Sequence, residues 1–377
     1  MSAGFRQARC PRVLVIGPVP PPYHGVAVMT RALLDSGLAE RFEVLHLDTS
    51  DRRDVANIGR LDLGNVQLAL VHGTRFMRLL ARSQMDVVYA PLSQNTLGFL
   101  RDALFLVPAL AAGVPVVLHL HGGRYGEFVR SAPVPVRGLA RSIFKRASRV
   151  IVLGETLRGM LRGLVADGQI SVVPNGVADA AVAPRESAGG ARMRIIFVGN
   201  LIPSKGYTEL LDAVQTLLDE GMDVDVTFAG GVADAAVHGK ALAGVRYGED
   251  RVRFAGSVDA HVRAELLAAS DVLVLPSHYG NEAHPLVLLE AMAAGLPVVS
   301  TRHAAIPEIV VDGATGLLIE PRDTAGLAAA LRRLAQRPDE RLAMGRAARR
   351  RYEERFTLPR WTERMIAVFE SVLPAGQ

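Results

Sequence analysis

The sequence predicts an α/β protein with two doubly wound domains, each built on a parallel sheet that is covered by helices on both faces. Short runs of Val, Ile and Leu alternate with longer helical patterns along the 377 residues, as in VLVIG at 13–17 and VVLHL at 116–120. Near-continuous apolar strands of this kind are typical of parallel sheets that are buried on both faces. A chain of this length also fits about two domains of roughly 100–200 residues each.

The order of strands and helices repeats within the chain. The matching pairs of segments are Arg12-VLVIGP with Arg194-IIFVGN, Ala111-AGVPVV with Ala293-AGLPVV, and Asp86-VVYAPLS with Asp271-VLVLPS. The first two pairs are 182 residues apart and the third pair is 185 apart. This agreement indicates two copies of one βα scaffold. Two such domains would face each other across a ligand cleft at the carboxyl edges of their strands.

The domain boundaries follow from composition. The stretch PNGVADAAVAPRESAGGA at 174–191 is rich in Pro, Gly and Ala, which indicates a linker. It gives an N-terminal domain over 1–185 and a C-terminal domain over 186–357. We expect the last helical segment, 358–377, to pack back on the first domain.

Charge is divided unevenly between the two halves. The chain has 43 basic and 38 acidic side chains, but residues 1–185 hold 22 basic and 13 acidic ones, whereas residues 186–377 hold 21 and 25. A basic first half indicates that this half meets an anionic partner. Nucleic acid is not favoured, because the sequence has no zinc-finger spacing, no aromatic-rich strand and no basic region followed by heptads.

Basic residues also recur at helical spacing in the first half. Two series do so: Arg137, Arg141, Lys145 and Arg149, and Arg75, Arg78 and Arg82. Basic amphipathic helices suit an anionic membrane surface, so we expect peripheral association on the inner face of the cell membrane through the first domain. A solvated outer face accounts for the same pattern.

We expect a cytoplasmic protein. Cys10 is the only cysteine, so no intrachain disulfide framework can form and a reducing compartment is the economical inference. The first apolar run, at 13–16, is too short for a signal-peptide core. The longest apolar stretch, at 103–118, is broken by Pro108 and Pro115 and is shorter than a bilayer span.

The common motifs of several enzyme classes are missing from the sequence. It has no GxGxxG, GxxxxGK[ST], GxSxG or HExxH, which disfavours nicotinamide dehydrogenases, P-loop enzymes, α/β-hydrolases and zinc proteases. A carboxylate pair, Glu282 and Glu290, remains beside an apolar helix predicted over 285–294. The start of that helix is a natural phosphate site. Taken alone, two Glu at this spacing are weak evidence, and a solvated helix face accounts for them better.

Several further motifs accompany this pair: Pro276-Ser277, Glu282 with seven residues to Glu290, Ala291-MAAGLPVVST, Ile306-PEIV-VDG, Gly316-LL, Val198-Gly199 with Lys205-Gly206, Val252-RFAGSV, Pro174-NGV and Gly17-PVPPPYHGVAV. Together they strongly resemble glycosyltransferase family 4, whose members transfer a sugar from a nucleotide-sugar donor with retention of configuration. The resemblance implies the GT-B fold, in which two Rossmann-like domains face each other across a cleft and a C-terminal helix returns to the first domain.

The resemblance also implies roles for residues of the second domain. Glu290 would hydrogen-bond the ribose hydroxyls, Glu282 would contact the donor-sugar hydroxyls, and Lys205 would bind the diphosphate. Lys205 is one of only three lysines in the chain, and a compact ammonium suits a leaving diphosphate. The remaining donor-binding positions of this domain are Gly199, Asn200, Ser257, Val258, His284, Pro285, Leu286 and Val287.

Two further positions belong to the first domain. Gly25 matches the glycine of a loop that closes over the donor phosphates, and His121 matches a histidine that contacts the donor sugar or its leaving group. A structural strand-end histidine is the alternative for His121. His119 shares its strand face, so a metal pair is a third alternative, although no third ligand is evident nearby.

Several positions depart from the family pattern. Asn200 stands where a second basic residue is usual, and His24 stands where a glycine is frequent. Ala283-His284 replaces Gly-Phe and Ala304-Ala305 replaces Gly-Gly. These changes put the identity of the donor in doubt more than the catalysis.

The sequence therefore predicts a hexosyltransferase with no bound cofactor and no metal, which uses a nucleotide-sugar co-substrate. The resemblance favours a UDP-sugar over a GDP-sugar, and a glycan or lipid-linked acceptor in polysaccharide or glycolipid assembly. The acceptor hydroxyl would attack on the face from which the diphosphate leaves, so that no protein nucleophile is needed. The alternatives are a synthase or phosphorylase with a soluble acceptor and a catalytically silent sugar-nucleotide-binding partner protein.

Overall fold

The computed structural model describes residues 9–21, 23–50, 63–180, 192–232 and 234–374. The chain divides into two compact units. Unit 1 comprises Met1–Asn175 and Leu358–Gln377, and unit 2 comprises Gly176–Thr357. The boundary predicted at 185 falls in 181–191, outside the described residues.

Unit 1 contains a six-stranded, all-parallel sheet in the order β2-β1-β3-β4-β5-β6. Its strands are β1 Arg12–Gly17, β2 Glu43–Asp48, β3 Val87–Pro91, β4 Val116–His119, β5 Arg149–Val152 and β6 Ile170–Val172. Its first five helices are α1 Gly25–Leu34, α2 Leu63–Arg82, α3 Thr96–Ala111, α4 Tyr125–Ser131 and α5 Val134–Arg146. The central strands β3 and β4 bury nearly every side chain, as the unbroken apolar runs predict.

Unit 2 contains a second six-stranded, all-parallel sheet in the order β12-β11-β10-β7-β8-β9. Its strands are β7 Met193–Val198, β8 Val224–Ala229, β9 Val252–Gly256, β10 Val272–Leu275, β11 Val298–Thr301 and β12 Gly316–Ile319. Its helices are α6 Tyr207–Asp219, α7 Ala235–Ala243, α8 Ala260–Ala269, α9 Leu286–Ala293, α10 Ile306–Ile309, α11 Thr324–Gln336 and α12 Pro338–Arg355. The α/β class with two parallel, Rossmann-like sheets is confirmed.

An equivalent hydrogen bond, from a backbone amide to an aspartate side chain, joins two central strands in each sheet. Asp86 accepts a 2.7 Å hydrogen bond from the Arg12 amide, which ties the start of β3 to the start of β1. Asp271 accepts a 2.8 Å bond from the Arg194 amide and ties β10 to β7 in the same way. The strand orders differ because unit 2 carries β9 beside β8 at the sheet edge, before the chain returns to the centre in β10.

The last helix, α13, spans Leu358–Glu370 and belongs to unit 1. Phe369 packs edge-on against Tyr89 of β3, with ring centroids 5.7 Å apart, and against Phe42 at 6.0 Å. Trp361, the only tryptophan, is fully buried. Within the described residues, no helix is long and apolar enough to cross a bilayer.

One expected helical series is shorter in the structure. Helix α5 ends at Arg146, and Arg149 begins strand β5. Ala147, in extended conformation, caps the helix, and the strand β5 must start there to pair with β4. The basic series on α5 therefore consists of Arg137, Arg141 and Lys145, without Arg149.

Candidate active site

A single glycine brings the turn after β7 against the loop after β10. Gly206 has φ 81°, a left-handed conformation that favours glycine. A Cβ at this position would also collide with the carbonyl oxygen of Pro276. The His278 amide donates a 2.8 Å hydrogen bond to the Ser204 carbonyl across the same junction. This close approach sets Lys205 beside the loop that carries Glu282.

Lys205 and Glu282 form a close ion pair. The Lys205 Nζ lies 2.6 Å from Glu282 Oε2, and the Ser277 hydroxyl donates to the same oxygen at 2.9 Å. The side chains are 19% and 8% exposed, so the buried carboxylate depends on these partners. The Lys205 ammonium also lies 5.3 Å from the centroid of the Tyr279 ring, within range of a cation–π interaction. The ion pair with Glu282 and the contact with the Tyr279 ring together hold the Lys205 ammonium in place.

Helix α9 begins at Leu286, four residues after Glu282. Pro285 caps it, while Leu286 and Val287 form the half-buried first turn. Because the first amides of a helix have no intrahelical acceptor, they point along the axis and favour an anion. His284 is buried edge-on against Phe356, with ring centroids 5.7 Å apart. The helix start and the ammonium of Lys205 thus flank the 282–285 segment.

Glu290 lies farther along α9 and meets Arg263 of α8. The guanidinium contacts both carboxylate oxygens at 3.0 Å. Burial raises the pKa of Glu290, and the nearby Arg263 charge opposes this rise. The ion pair therefore opposes the effect of burial and favours the ionised, hydrogen-bond-accepting form of this carboxylate.

The turns after β7, β8 and β9 also meet one another. A Cβ on Gly231 would lie 3.0 Å from Ser257 Oγ and 3.9 Å from Asn200 Oδ1. Gly199 adopts φ 150° at the end of β7, and Val258 is half-buried against the core of the unit. Because β9, β8, β7 and β10 are neighbours in a parallel sheet, their following loops share one edge. That edge carries most of the site residues predicted in this unit.

His121 follows β4 of unit 1 and stacks on His119. Their ring centroids are 3.9 Å apart, and His119 Nδ1 lies 2.8 Å from the Tyr89 hydroxyl. Burial, and secondarily the nearby His24, lowers the pKa of His121 to about 4. His121 is therefore a neutral imidazole at neutral pH. Within the described ranges, no group of three His, Cys, Asp or Glu side chains could hold a metal ion.

Gly25 is the first residue of α1. His24 caps this helix, and its Nδ1 accepts a 3.3 Å hydrogen bond from the Ala27 amide. Apart from its chain neighbours and the backbone of its own helix, no described atom lies within 4 Å of the place that a Cβ on Gly25 would occupy. Packing within the described chain does not explain this glycine, so its predicted role toward donor phosphates stays a prediction.

Two family models match this chain, one in each half. Residues 17–180 match the family model described as Glycosyltransferase Family 4, and residues 192–337 match the model described as Glycosyl transferases group 1. The chain belongs to glycosyltransferase family 4. The family predicted from the sequence is thereby confirmed.

Curated relatives of this family 4 chain align over only part of their length. Glycogen synthase of Mycobacterium tuberculosis H37Rv is 32% identical over 275 residues, which are 68% of this chain and 64% of that protein. The MMP α-(1→4)-mannosyltransferase of Mycolicibacterium hassiacum is 35% identical over 211 residues, 55% of this chain and 50% of that protein. The aligned region thus spans about two thirds of the first relative and half of the second.

Solved structures share the fold over nearly the whole family 4 chain. Sucrose-phosphate synthase from Thermosynechococcus elongatus has a TM-score of 0.76 at 18% identity, covering 96% of this chain and 98% of that one. Anabaena HepE in complex with UDP has a TM-score of 0.74 at 19% identity, covering 96% and 100%. These likenesses show a common GT-B architecture.

Three residues that contact the candidate site residues of this family 4 chain were not predicted from the sequence. Arg263 binds Glu290, Ser277 binds Glu282, and Tyr279 lies beside Lys205. Ser277 stood inside the quoted Pro-Ser motif, so its place next to the carboxylate loop was a usable signal. Arg263 had no comparable signal, because it lies on a different helix in a segment without a motif.

Proposed function

We propose that this chain is a retaining hexosyltransferase that moves a sugar from a nucleotide sugar to an acceptor hydroxyl. The observation that carries the proposal is the contact of Lys205 with Glu282 beside the first turn of α9, in a chain that belongs to glycosyltransferase family 4. A cation and a helix N-terminus suit a diphosphate, and a carboxylate suits sugar hydroxyls, since it only accepts hydrogen bonds.

Donor binding would rearrange the ion pair. The diphosphate competes with Glu282 for the Lys205 ammonium, and the carboxylate then accepts hydrogen bonds from the donor sugar. The backbone N–H groups of His284, Leu286 and Val287 donate to the sugar and phosphates. Pro285 has no N–H group, and its ring lines the site together with the side chains of His284, Leu286 and Val287. The existing contact at 2.6 Å keeps both groups in place before the donor arrives.

The rest of the nucleotide would meet the other loops of the same sheet edge. Glu290 accepts hydrogen bonds from the ribose hydroxyls. Ser257 and Val258 meet the base through their backbone groups, while Gly199 and Asn200 form the floor near the phosphates. In unit 1, Gly25 admits a phosphate where a Cβ would obstruct it, and His121 hydrogen-bonds the sugar or leaving group as a neutral imidazole.

The chemical step needs no protein nucleophile. The acceptor oxygen bonds to the anomeric carbon on the face from which the diphosphate departs, while the bond from that carbon to the phosphate oxygen breaks. The acceptor proton passes to the departing phosphate oxygen. Lys205 and the amides at the start of α9 stabilise the negative charge that develops there.

We propose a UDP-sugar as donor and a glycan or lipid-linked acceptor in polysaccharide or glycolipid assembly. The Anabaena neighbour, whose structure holds UDP, supports UDP, and no side chain at the base loop excludes GDP. We place the reaction in the cytoplasm, at the inner face of the cell membrane. The single, exposed Cys10 fits a reducing compartment.

Donor binding and donor hydrolysis test this proposal together. We expect one class among UDP-, GDP- and ADP-sugars to raise the melting temperature, because a ligand that binds only the native state stabilises it. The same donor should be hydrolysed slowly without acceptor. Binding without hydrolysis would favour the silent binding protein, and no binding of any sugar nucleotide would overturn the proposed function.

A further inference from the structure

Helix α3 is apolar on the side that faces away from its own unit as well as on its buried side. Leu100, Leu104 and Val107 are 40%, 46% and 41% exposed, and their spacing of four and three residues aligns them in one row. Residues of the opposite side, such as Phe99 and Phe105, are fully buried. A surface helix of a globular protein normally turns a polar stripe to water, so this row calls for a partner.

Basic helices flank this apolar row. Helix α3 packs against α2 on one side and against α5 on the other. On α2, Arg75, Arg78 and Arg82 are exposed, together with Val71 and Met77. On α5, Arg141 and Lys145 are exposed. We call the outward side of α2, α3 and α5 the three-helix face.

The three-helix face carries no exposed acidic group. The sequences of α2, α3 and α5 contain one acidic residue, Asp102. It is buried and pairs with Arg101 at 2.7 Å. No described ion pair involves a basic residue of α2 or α5. The face is therefore positively charged around an apolar centre.

The helices of unit 2 show the contrasting arrangement. Arg332 and Arg333 of α11 pair with Glu220 and Glu340, and Arg349 of α12 pairs with Glu353 at 2.6 Å. Mixed charges of this kind are normal for a solvated surface. The abundance of Arg in the chain thus does not by itself explain a face without acidic partners.

We infer that the three-helix face is a docking surface for an anionic lipid bilayer. Arg and Lys side chains of α2 and α5 bind lipid phosphates, and the row on α3 enters the boundary between headgroups and acyl chains. A positive rim around an apolar centre complements a bilayer surface, which offers negative charge above hydrocarbon. This inference gives the membrane location in the proposed function a specific surface. It depends only on unit 1.

Vesicle co-sedimentation without donor or acceptor tests this surface. We expect the protein to bind vesicles of phosphatidylglycerol mixed with phosphatidylcholine, to bind pure phosphatidylcholine far less, and to dissociate with salt. The variant Arg78→Glu/Arg141→Glu/Lys145→Glu should lose on the order of fivefold or more in affinity per position. The charge-matched control Arg253→Glu/Arg346→Glu/Arg350→Glu, at exposed sites of unit 2, should bind nearly as the wild type does.

The apolar row has its own test. Cys10 is the only cysteine, so a Cys10→Ser background accepts a single polarity-sensitive label at Leu104→Cys. Its emission should shift to the blue on addition of anionic vesicles. A label at Leu242→Cys, on α7 and 43% exposed in the native residue, should not respond.

Three results would overturn the inference. They are equal binding to neutral and anionic vesicles, unchanged binding of the triple variant on the three-helix face, and a self-association in lipid-free solution that Leu104→Ser abolishes. The last result would assign the face to a second copy of the chain. Because these assays contain no sugar nucleotide, failure here leaves the proposed transfer reaction standing, and failure of donor binding leaves this surface standing.

Discussion

Arg263 joins helix α8 to helix α9 through a two-point contact with Glu290, each carboxylate oxygen lying 3.0 Å from a guanidinium nitrogen. Burial raises the pKa of Glu290 and the Arg263 charge lowers it. A carboxylate accepts hydrogen bonds from ribose hydroxyls best when it is ionised, and the ionised form is lost as the pH falls through the pKa of the carboxyl group. If Glu290 binds the ribose as proposed, Arg263 extends donor binding toward lower pH.

The variant Arg263→Leu should make donor binding depend on pH closer to neutrality. Without the guanidinium, the pKa of Glu290 rises further, so affinity should fall on going from pH 8 to pH 6 more steeply than in the wild type. Isothermal titration with the preferred sugar nucleotide measures this. Arg263→Lys keeps the charge and should show a smaller change, and Glu290→Gln should bind weakly with no such dependence. A wild-type pH profile in Arg263→Leu would contradict the argument.

Removing either member of the Lys205–Glu282 pair should abolish most of the turnover. We expect Lys205→Ala and Glu282→Ala each to lower kcat on the order of 10²–10³-fold, the size seen when one preorganised stabilising group is lost. The double variant should lose little more, because groups that act as a unit are not additive. Lys240→Ala, at an exposed lysine of α7, is the matched control. Near-normal transfer by both single variants would remove these residues from the site.

The apolar runs that recur in both halves of the sequence predicted the two sheets, because a near-continuous apolar strand indicates a parallel sheet that is buried on both faces. One contact recurs with the repeat. Asp86 accepts a hydrogen bond from the Arg12 amide at the start of β1, and Asp271 accepts one from the Arg194 amide at the start of β7. The end of α5 at Arg146 could not be read from charge spacing. The four-residue spacing of the basic residues does not show where strand β5 must begin.

The site was only partly accessible from the sequence. Motif positions singled out Lys205 and Glu282 as candidates, but their contact depends on the close approach of Gly206 to Pro276, which is a tertiary feature. Arg263 was missed because its partner lies on another helix, and helical spacing describes neighbours on one helix only. Residues that act through long-range contacts without a motif require the folded structure.

Gly206→Ala should be far more destabilising than Gly221→Ala, although both glycines have nearly the same φ, 81° and 78°. Gly221 has no described atom within 4 Å of an added Cβ, so its substitution should cost only the left-handed conformation, roughly 1 kcal/mol. Gly206→Ala adds a collision with Pro276, about 1–3 kcal/mol more. Urea unfolding measures both values, and equal losses would show that the close approach does not matter.

The neutral state of His121 has a consequence for stability in acid. Its pKa is lowered to about 4 by burial, below the ordinary value near 6.5, so the unfolded chain binds a proton that the folded chain does not. Stability should therefore fall as the pH decreases from about 6.5 toward 4, by up to about 1.4 kcal/mol per pH unit from this group. His121→Asn should flatten that part of the curve of melting temperature against pH. A slope equal to the wild type in His121→Asn would show that His121 does not titrate as its burial requires.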